Sequence, residues 1–195
     1  MTLTIRRAES TDLTAIATLH ATNWRMTYRG MLSDHYLDVE LDNDRLTDWQ
    51  NRFAVPPPHQ YVVVAEDDRR NLVGFACAYG RHDPEVGTLV ENLHAHPTHR
   101  KAGIGKALLA HVASWSAENF PGDAMHLWVL RANVAAIGFY RHMGAVADQD
   151  AIWDAPGGGK VPELRFTWHN PSTLMQNFAA GTWVVQAGQT YPDQA

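Results

Sequence analysis

Between Gln60 and Ala95 three apolar, β-rich runs follow one another with only short polar turns between them: Tyr61–Ala65, Leu72–Tyr79 and Thr88–Ala95. Then the spacing changes. From Gly103 to about Asn119, Ile104, Leu108, Val112 and Trp115 recur every three or four residues, the period of a helix with one apolar face. A chain that makes this switch must lay a helix on a sheet, so a mixed α/β architecture (α+β in its segregation) with one central sheet follows. The rest of the chain agrees. Thr2 to Arg7 alternates as a short strand, and Leu13, Ile16, His20 and Trp24 trace a helix face, with Ser10 expected as its N-cap. A helical turn from Ser33 to Leu37 and a helix near Asp44–Arg52 stop at Pro56, Pro57 and Pro58. Met125–Leu130 reads as a buried strand, Asn133 as the cap of a helix running to Met143, Gly144 as its stop, and Glu163–Trp168 as a last strand.

The 195 residues suit one domain, expected over 1–170, with 171–195 as an extension in which Thr182–Gln186 could form an extra strand. Such a strand could join this chain's sheet edge or a partner's, the second giving a homodimer; an independent flap is equally compatible. With 45% hydrophobic and 19% charged residues the chain is no disordered polyelectrolyte. A formal charge of −5 argues against broad nucleic-acid binding, and no apolar run is long enough for a membrane span. One cysteine excludes an internal disulfide, and residues 1–30 lack a secretory leader, so a cytoplasmic location is expected.

The stretch from Leu93 to Leu109 carries the chemistry. A strand ends near Ala95 or His96, a turn follows Pro97, and Gly103 and Gly105 stand where a helix begins. The first turn of a helix presents unpaired N–H groups and the positive end of its dipole, which suits a phosphate. Glycines let the backbone approach, and Arg100, Lys101 and Lys106 concentrate positive charge in a chain that is acidic on average. A plain helix entry with solvated basic residues is the bland alternative. The three-glycine dinucleotide fingerprint and the Walker ending are both absent.

Arg100-x-x-Gly103-x-Gly105 between a strand and a helix resembles the acyl-CoA pyrophosphate loop of the GNAT superfamily of N-acetyltransferases. Asn133-x-x-Ala136-x-x-Phe139-Tyr140-x-x-x-Gly144-Ala145 resembles that superfamily's second cofactor motif. The resemblance implies a single-domain mixed sheet splayed between its fourth and fifth strands, with flanking helices and the pantetheine arm in the opening. It implies acetyl transfer from acetyl-CoA to a primary amine by direct attack in a ternary complex, a small molecule or amino acid being favoured over a protein. Arg100, Lys101, Ala102, Gly103, Ile104, Gly105 and Lys106 would hold the pyrophosphate. Leu93, His94 and Ala95 would hold the pantetheine, and Asn133, Ala136 and Tyr140 would line the arm from one helix face. Tyr140 would protonate the leaving thiolate, uphill in water by about 2 kcal/mol. Glu91, expected on the face of Leu93 and Ala95, is the first candidate base, with His94 on the other face as its replacement. Trp24 and Tyr28 would wall the acceptor pocket, although Trp24 also continues an apolar stripe.

Other readings stay open. A non-catalytic acyl-CoA-binding or sensing module would keep the loop without turnover. His94, His96 and His99 invite a zinc hydrolase, but no cysteine is near and the turn at Pro97 belongs to the phosphate loop, so no metal is expected. Gly157–Gly158–Gly159 reads as a flexible connection, Cys77 as a buried inert thiol, and Trp115 and Trp128 as packing residues.

Overall fold

The computed structural model describes residues 2–99, 101–176 and 183–185. Alternation in the first segment produces β1 (Leu3–Arg7), which buries Leu3 and Ile5. A single tight turn at Ser10–Asp12 leads into α1 (Leu13–Thr27). Ser10 is not the cap. Glu9 takes that place in a capping box: its side chain accepts the Asp12 N–H, and the Asp12 carboxylate, ion-paired to Arg6 at 2.7 Å, accepts the Glu9 N–H at 2.8 Å. The two helical pieces expected between 33 and 52 are continuous: helix begins at Asp34, passes through a π-helical turn at Tyr36–Glu40 and runs straight into α2 (Leu41–Ala54).

An antiparallel meander follows, β2 (Gln60–Glu66), β3 (Leu72–Asp83) and β4 (Gly87–Ala95). Next come α3 (Ile104–Asn119), β5 (Ala124–Leu130), α4 (Val134–His142), β6 (Val146–Asp154), β7 (Lys160–Trp168), α5 (Thr173–Gln176) and β8 (Trp183–Val185). The strands form one mixed sheet in the order β6-β7-β5-β4-β3-β2-β1-β8. β6 has no counterpart among the strands read from the sequence. It is an edge strand with most of its residues exposed, so it lacks the apolar alternation that a half-buried strand must have. The glycine run 157–159 is the turn of the β6–β7 hairpin, with all three residues at positive φ. β8 pairs in parallel with β1, so the expected extra strand joins the chain's own sheet; Thr182 and Gln186 lie outside the described residues.

Ile104, Leu108, Leu109 and Val112 of α3 pack on one face of the sheet, joined by Leu174 of α5. On the other face Ile16 and Leu19 of α1 and Trp49 of α2 pack on Val62, Val64, Phe75 and Cys77. Cys77 is fully buried, and burial pushes its thiol up to about 11, as suits an inert packing residue. α3 rides close to the sheet because β3 carries Gly74: a Cβ there would stand 2.6 Å from Ile104 Cγ2 and 2.9 Å from the His94 carbonyl.

The sheet parts where the site forms. β4 and β5 are paired in parallel at Gly87–Ala124, Thr88–Met125 and Leu89–His126 only. Beyond Leu89 the two strands diverge, so the central sheet is splayed between its fourth and fifth strands.

Candidate active site

A cleft of about 640 Å³ fills this splay. Its walls are Leu93, His94 and Ala95 of β4, Leu127, Trp128 and Val129 of β5, Asn133, Ala136 and Tyr140 at α4, and Trp24 and Tyr28 at the end of α1.

The backbone of β4 has a definite polarity here. The His96 N–H bonds to the Val73 carbonyl at 2.8 Å, and β4 pairs with β3 through Phe75–His94 and Cys77–Asn92. Polar groups alternate sides along a strand, so those of Leu93 and Ala95 turn away from β3, into the gap. The Ala95 carbonyl accepts a hydrogen bond from Asn23 Nδ2 at 3.2 Å, which ties α1 to the end of β4 and leaves the Ala95 N–H facing the cleft.

Glu91 departs from the expected alternation. Ala78 pairs with Val90 and Cys77 with Asn92, so Glu91 is the extra residue of a β-bulge. It does not share the face of Leu93 and Ala95, which pack with the α3-side core. The bulge turns it with Asn92 toward α2, where Arg52 lies 3.6 Å from the Glu91 carboxylate and 3.1 Å from Asn92 Oδ1. Arg52 is held in turn by Asp48 at 3.0 Å and lies over the Trp49 ring. Glu91 still borders the cleft.

His94 packs against His20 and Phe75, and burial, reinforced by the charge of Arg45, pushes its imidazole down to about 4. It is therefore neutral near pH 7. Tyr140 is half-buried among Phe139, Phe166 and Trp168; burial and then the neighbouring Tyr28 raise its hydroxyl above the usual range. Burial likewise pushes Tyr28 up to about 12. Both phenols are protonated near pH 7, each able to donate.

Asn133 is the N-cap of α4: its Oδ1 accepts the Ala136 N–H at 3.2 Å, leaving the side-chain NH₂ for other partners. Trp24 serves both core and cleft. Only 9% exposed, it meets Tyr28 and Trp153 edge-on and carries the Arg45 guanidinium 4.6 Å above its ring.

The phosphate-loop residues lie apart from these walls. Gly103 caps α3 with φ of 79°, and the Ala107 N–H to Gly103 carbonyl bond of 2.9 Å begins the helix, so the first turn's N–H groups point back toward the loop. Lys101 also takes a positive φ, of 64°. Lys101, Ala102, Gly103, Ile104, Gly105 and Lys106 do not border the cleft, whose wall residue nearest to them in sequence is Pro97. Ile104 offers only its backbone, its side chain being in the core. Arg100 lies outside the described residues.

Sequence reasoning missed Asn23, Met31 and Trp128 in the cleft wall and Arg52 behind Glu91. Trp128 is not a packing residue alone; it is half-buried and faces the opening. Asn23 left one signal, a polar side chain set beside Trp24 at the end of an apolar stripe. Among the described residues no three His, Cys, Asp or Glu side chains gather as a metal-binding group, and no helix is long and apolar enough to cross a membrane.

The acetyltransferase (GNAT) family model matches residues 17–145, more than half of the chain and every wall of the cleft. The chain belongs to the GNAT acetyltransferase family. A relative from Bacillus subtilis (strain 168), the uncharacterized N-acetyltransferase YuaI, is 27% identical over 175 residues, 88% of this chain and 96% of its own. Streptothricin acetyltransferase from Streptomyces lavendulae is 36% identical over 87 residues, 43% of this chain and 42% of its own. Among solved structures the fold is similar to that of the PaiA N-acetyltransferase from Thermoplasma acidophilum in complex with coenzyme A. The TM-score is 0.63 at 21% identity, over 84% of this chain and 98% of that one.

Proposed function

We propose that this GNAT protein transfers an acetyl group from acetyl-CoA to a primary amine of a small molecule, by direct attack within a ternary complex. The observation that carries the reading is the opening itself: β4 turns its Leu93 polar groups and its Ala95 N–H away from β3 into the gap beside β5, and Tyr140 borders the same gap. A pantetheine arm, whose amides need backbone partners, would complete the β4 edge. The N–H groups at the start of α3, with Arg100, Lys101 and Lys106, would hold the pyrophosphate. Asn133 and Ala136 would line the arm.

The chemistry then follows from the walls. The Ala95 N–H, aimed into the gap, polarises the thioester carbonyl and receives the oxyanion that forms on attack. An alkylammonium must first lose its proton, at a cost of about 4.6 kcal/mol at pH 7. Glu91 supplies the negative charge that draws the ammonium in and takes its proton, directly or through water. Collapse of the tetrahedral intermediate breaks the C–S bond, and Tyr140 donates its proton to the sulfur. Its raised pKa makes it a reluctant acid, so proton and bond must move together. Trp24, Tyr28 and Trp128 surround the acceptor with aromatic faces suited to a cation. The short stretch shared with streptothricin acetyltransferase supports a small-molecule acceptor.

Thiol release from acetyl-CoA with a panel of small primary amines tests the reading. Release with at least one amine, and a fall of at least tenfold in kcat for Tyr140→Phe, is expected. Tight coenzyme A binding without release for any amine would mark a sensing module instead. An unchanged pH–rate profile in Glu91→Gln eliminates Glu91 as the base.

A further inference from the structure

His20 is fully buried between α1 and the sheet. Four rings surround it: Trp24, Trp49, Phe75 and His94, at centroid separations of 5.0, 6.1, 5.7 and 4.7 Å. An indole nitrogen can only donate. Trp49 Nε1–H meets His20 Nδ1 at 3.1 Å, so Nδ1 carries the lone pair. Burial holds His20 well below its ordinary pKa, and any charge on the neighbouring His94 ring, with those of Arg45 and Arg52, lowers it further, so the ring is neutral. Its one proton therefore sits on Nε2.

That Nε2 is buried and has no hydrogen-bond partner among the described residues. An orphaned buried donor is costly and calls for an explanation. Among the four rings, Trp24 offers only a donor, Phe75 nothing polar, and the Trp49 nitrogen is already engaged. His94 alone has a lone pair to give. It is also the nearest ring, and it borders the cleft one residue before Ala95.

We propose that Trp49, His20 and His94 form a tautomer relay completed by a turn of the His94 ring: His20 Nε2–H, unpartnered in this structure, is then donated to one ring nitrogen of His94, which fixes the His94 proton on the other nitrogen and presents a neutral N–H to the acyl oxygen in the cleft. His20 is then a positioning residue. His94 becomes a hydrogen-bond donor to the oxyanion, beside the Ala95 N–H, and not a base. The role rests on the acetyl-transfer reading above. No proton leaves His94 during the reaction: its bond to the acyl oxygen strengthens as the carbonyl becomes an oxyanion and relaxes as the C–S bond breaks. The depressed pKa of His94 suits this role, because the ring stays neutral and its tautomer, not its charge, is what Trp49 controls.

Heteronuclear NMR of the nitrogen-labelled full chain reads the tautomer of each histidine ring. A single His94 tautomer is expected in the wild type, and a mixture in Trp49→Phe, which keeps an aromatic ring and loses the donor. If Trp49→Phe fails to fold, His20→Gln is read in its place. In turnover, His94→Gln, with a donor but no titratable ring, is expected to rescue most of the roughly hundredfold loss in kcat of His94→Leu, with KM for acetyl-CoA changed less than about twofold. Equal losses in the two His94 variants, or a His94 tautomer indifferent to both upstream substitutions, would overturn the relay. A wild-type chain with a fixed His94 tautomer that releases no thiol with any amine overturns the transfer reading instead, and the donor's role with it.

Discussion

The Arg52 guanidinium on α2 lies 3.6 Å from the Glu91 carboxylate in the bulge of β4. One half-buried cation thus braces Glu91, Asn92 and Asp48 together, linking the helix layer to the bulge of β4. Removing it leaves the buried Asn92 side chain without its donor. Arg52→Met is expected to cost about 2 kcal/mol of stability by chemical denaturation. Arg52→Lys, which keeps the charge and loses the planar fork, is expected to recover only part of that. Destabilisation below about 0.5 kcal/mol for Arg52→Met would mean that the brace carries no weight.

His126 on β5 is 2% exposed, and burial pushes it down to about 4; Asp83 pulls the other way and Arg165 adds to the lowering. Its Nδ1 has no partner among the described residues. Its folded pKa lies below the ordinary 6.5, so between about pH 6.5 and pH 4 the unfolded chain binds the extra proton. Stability from this group is complete above pH 6.5 and falls as the pH drops through that window, by about 3 kcal/mol for a buried histidine. Denaturation midpoints between pH 7.5 and pH 4.5 measure the slope. His126→Leu is expected to flatten it; an identical slope in the variant would assign the loss to other groups.

Gly157, at the tip of the β6–β7 hairpin, has φ of 76°, and an added Cβ would collide with the side chain of Tyr36. Gly158 has a similar positive φ with open space around it. Gly158→Ala therefore isolates the backbone strain, about 1 kcal/mol, whereas Gly157→Ala adds the clash. Thermal unfolding is expected to rank Gly157→Ala well below Gly158→Ala. The same hairpin carries Trp153 against Trp24, so KM for the acceptor is expected to rise in Gly157→Ala alone. Equal melting points for the two variants would show that the tip is not seated on Tyr36.

Asn133 stands at the junction of helix capping and cofactor contact. Asn133→Asp keeps the oxygen that receives the Ala136 N–H, and Asn133→Ala loses it, at a cost of about 1 kcal/mol. If the side-chain NH₂ serves the cofactor, both variants weaken coenzyme A in calorimetric titration while only Asn133→Ala loses stability. Full coenzyme A affinity in Asn133→Asp would confine Asn133 to capping.

Most of the frame was readable before any coordinates, because the physical causes are local. The spacing of Ile104, Leu108, Val112 and Trp115 builds α3, and Gly103 and Asn133 mark helix starts where their backbone and side chain do the capping. What escaped depends on neighbours far along the chain. A bulge is one residue too many relative to a partner strand, so Glu91 looked regular until its pairing with β3 was known. β6 is polar because it is an edge, and being an edge is a property of the sheet. Trp128 sits in an apolar strand like any core residue; it reaches the cleft only because β4 and β5 part beside it. Ser10 yielded the cap to Glu9, whose box with Asp12 is held by Arg6, itself fixed by Glu66 of β2 sixty residues on.

The three-pair contact between β4 and β5 also predicts an uneven rhythm of amide exchange along one strand. In the ligand-free chain Asn92 and His94, turned toward β3, are expected to hold their amide hydrogens for long times, and Leu93 and Ala95, between and beside them, to release theirs quickly. A strand in the middle of an eight-stranded sheet would then exchange on alternate residues like an edge. Whatever molecule slows the Leu93 and Ala95 amides to the pace of their neighbours is acting as the strand missing from the gap.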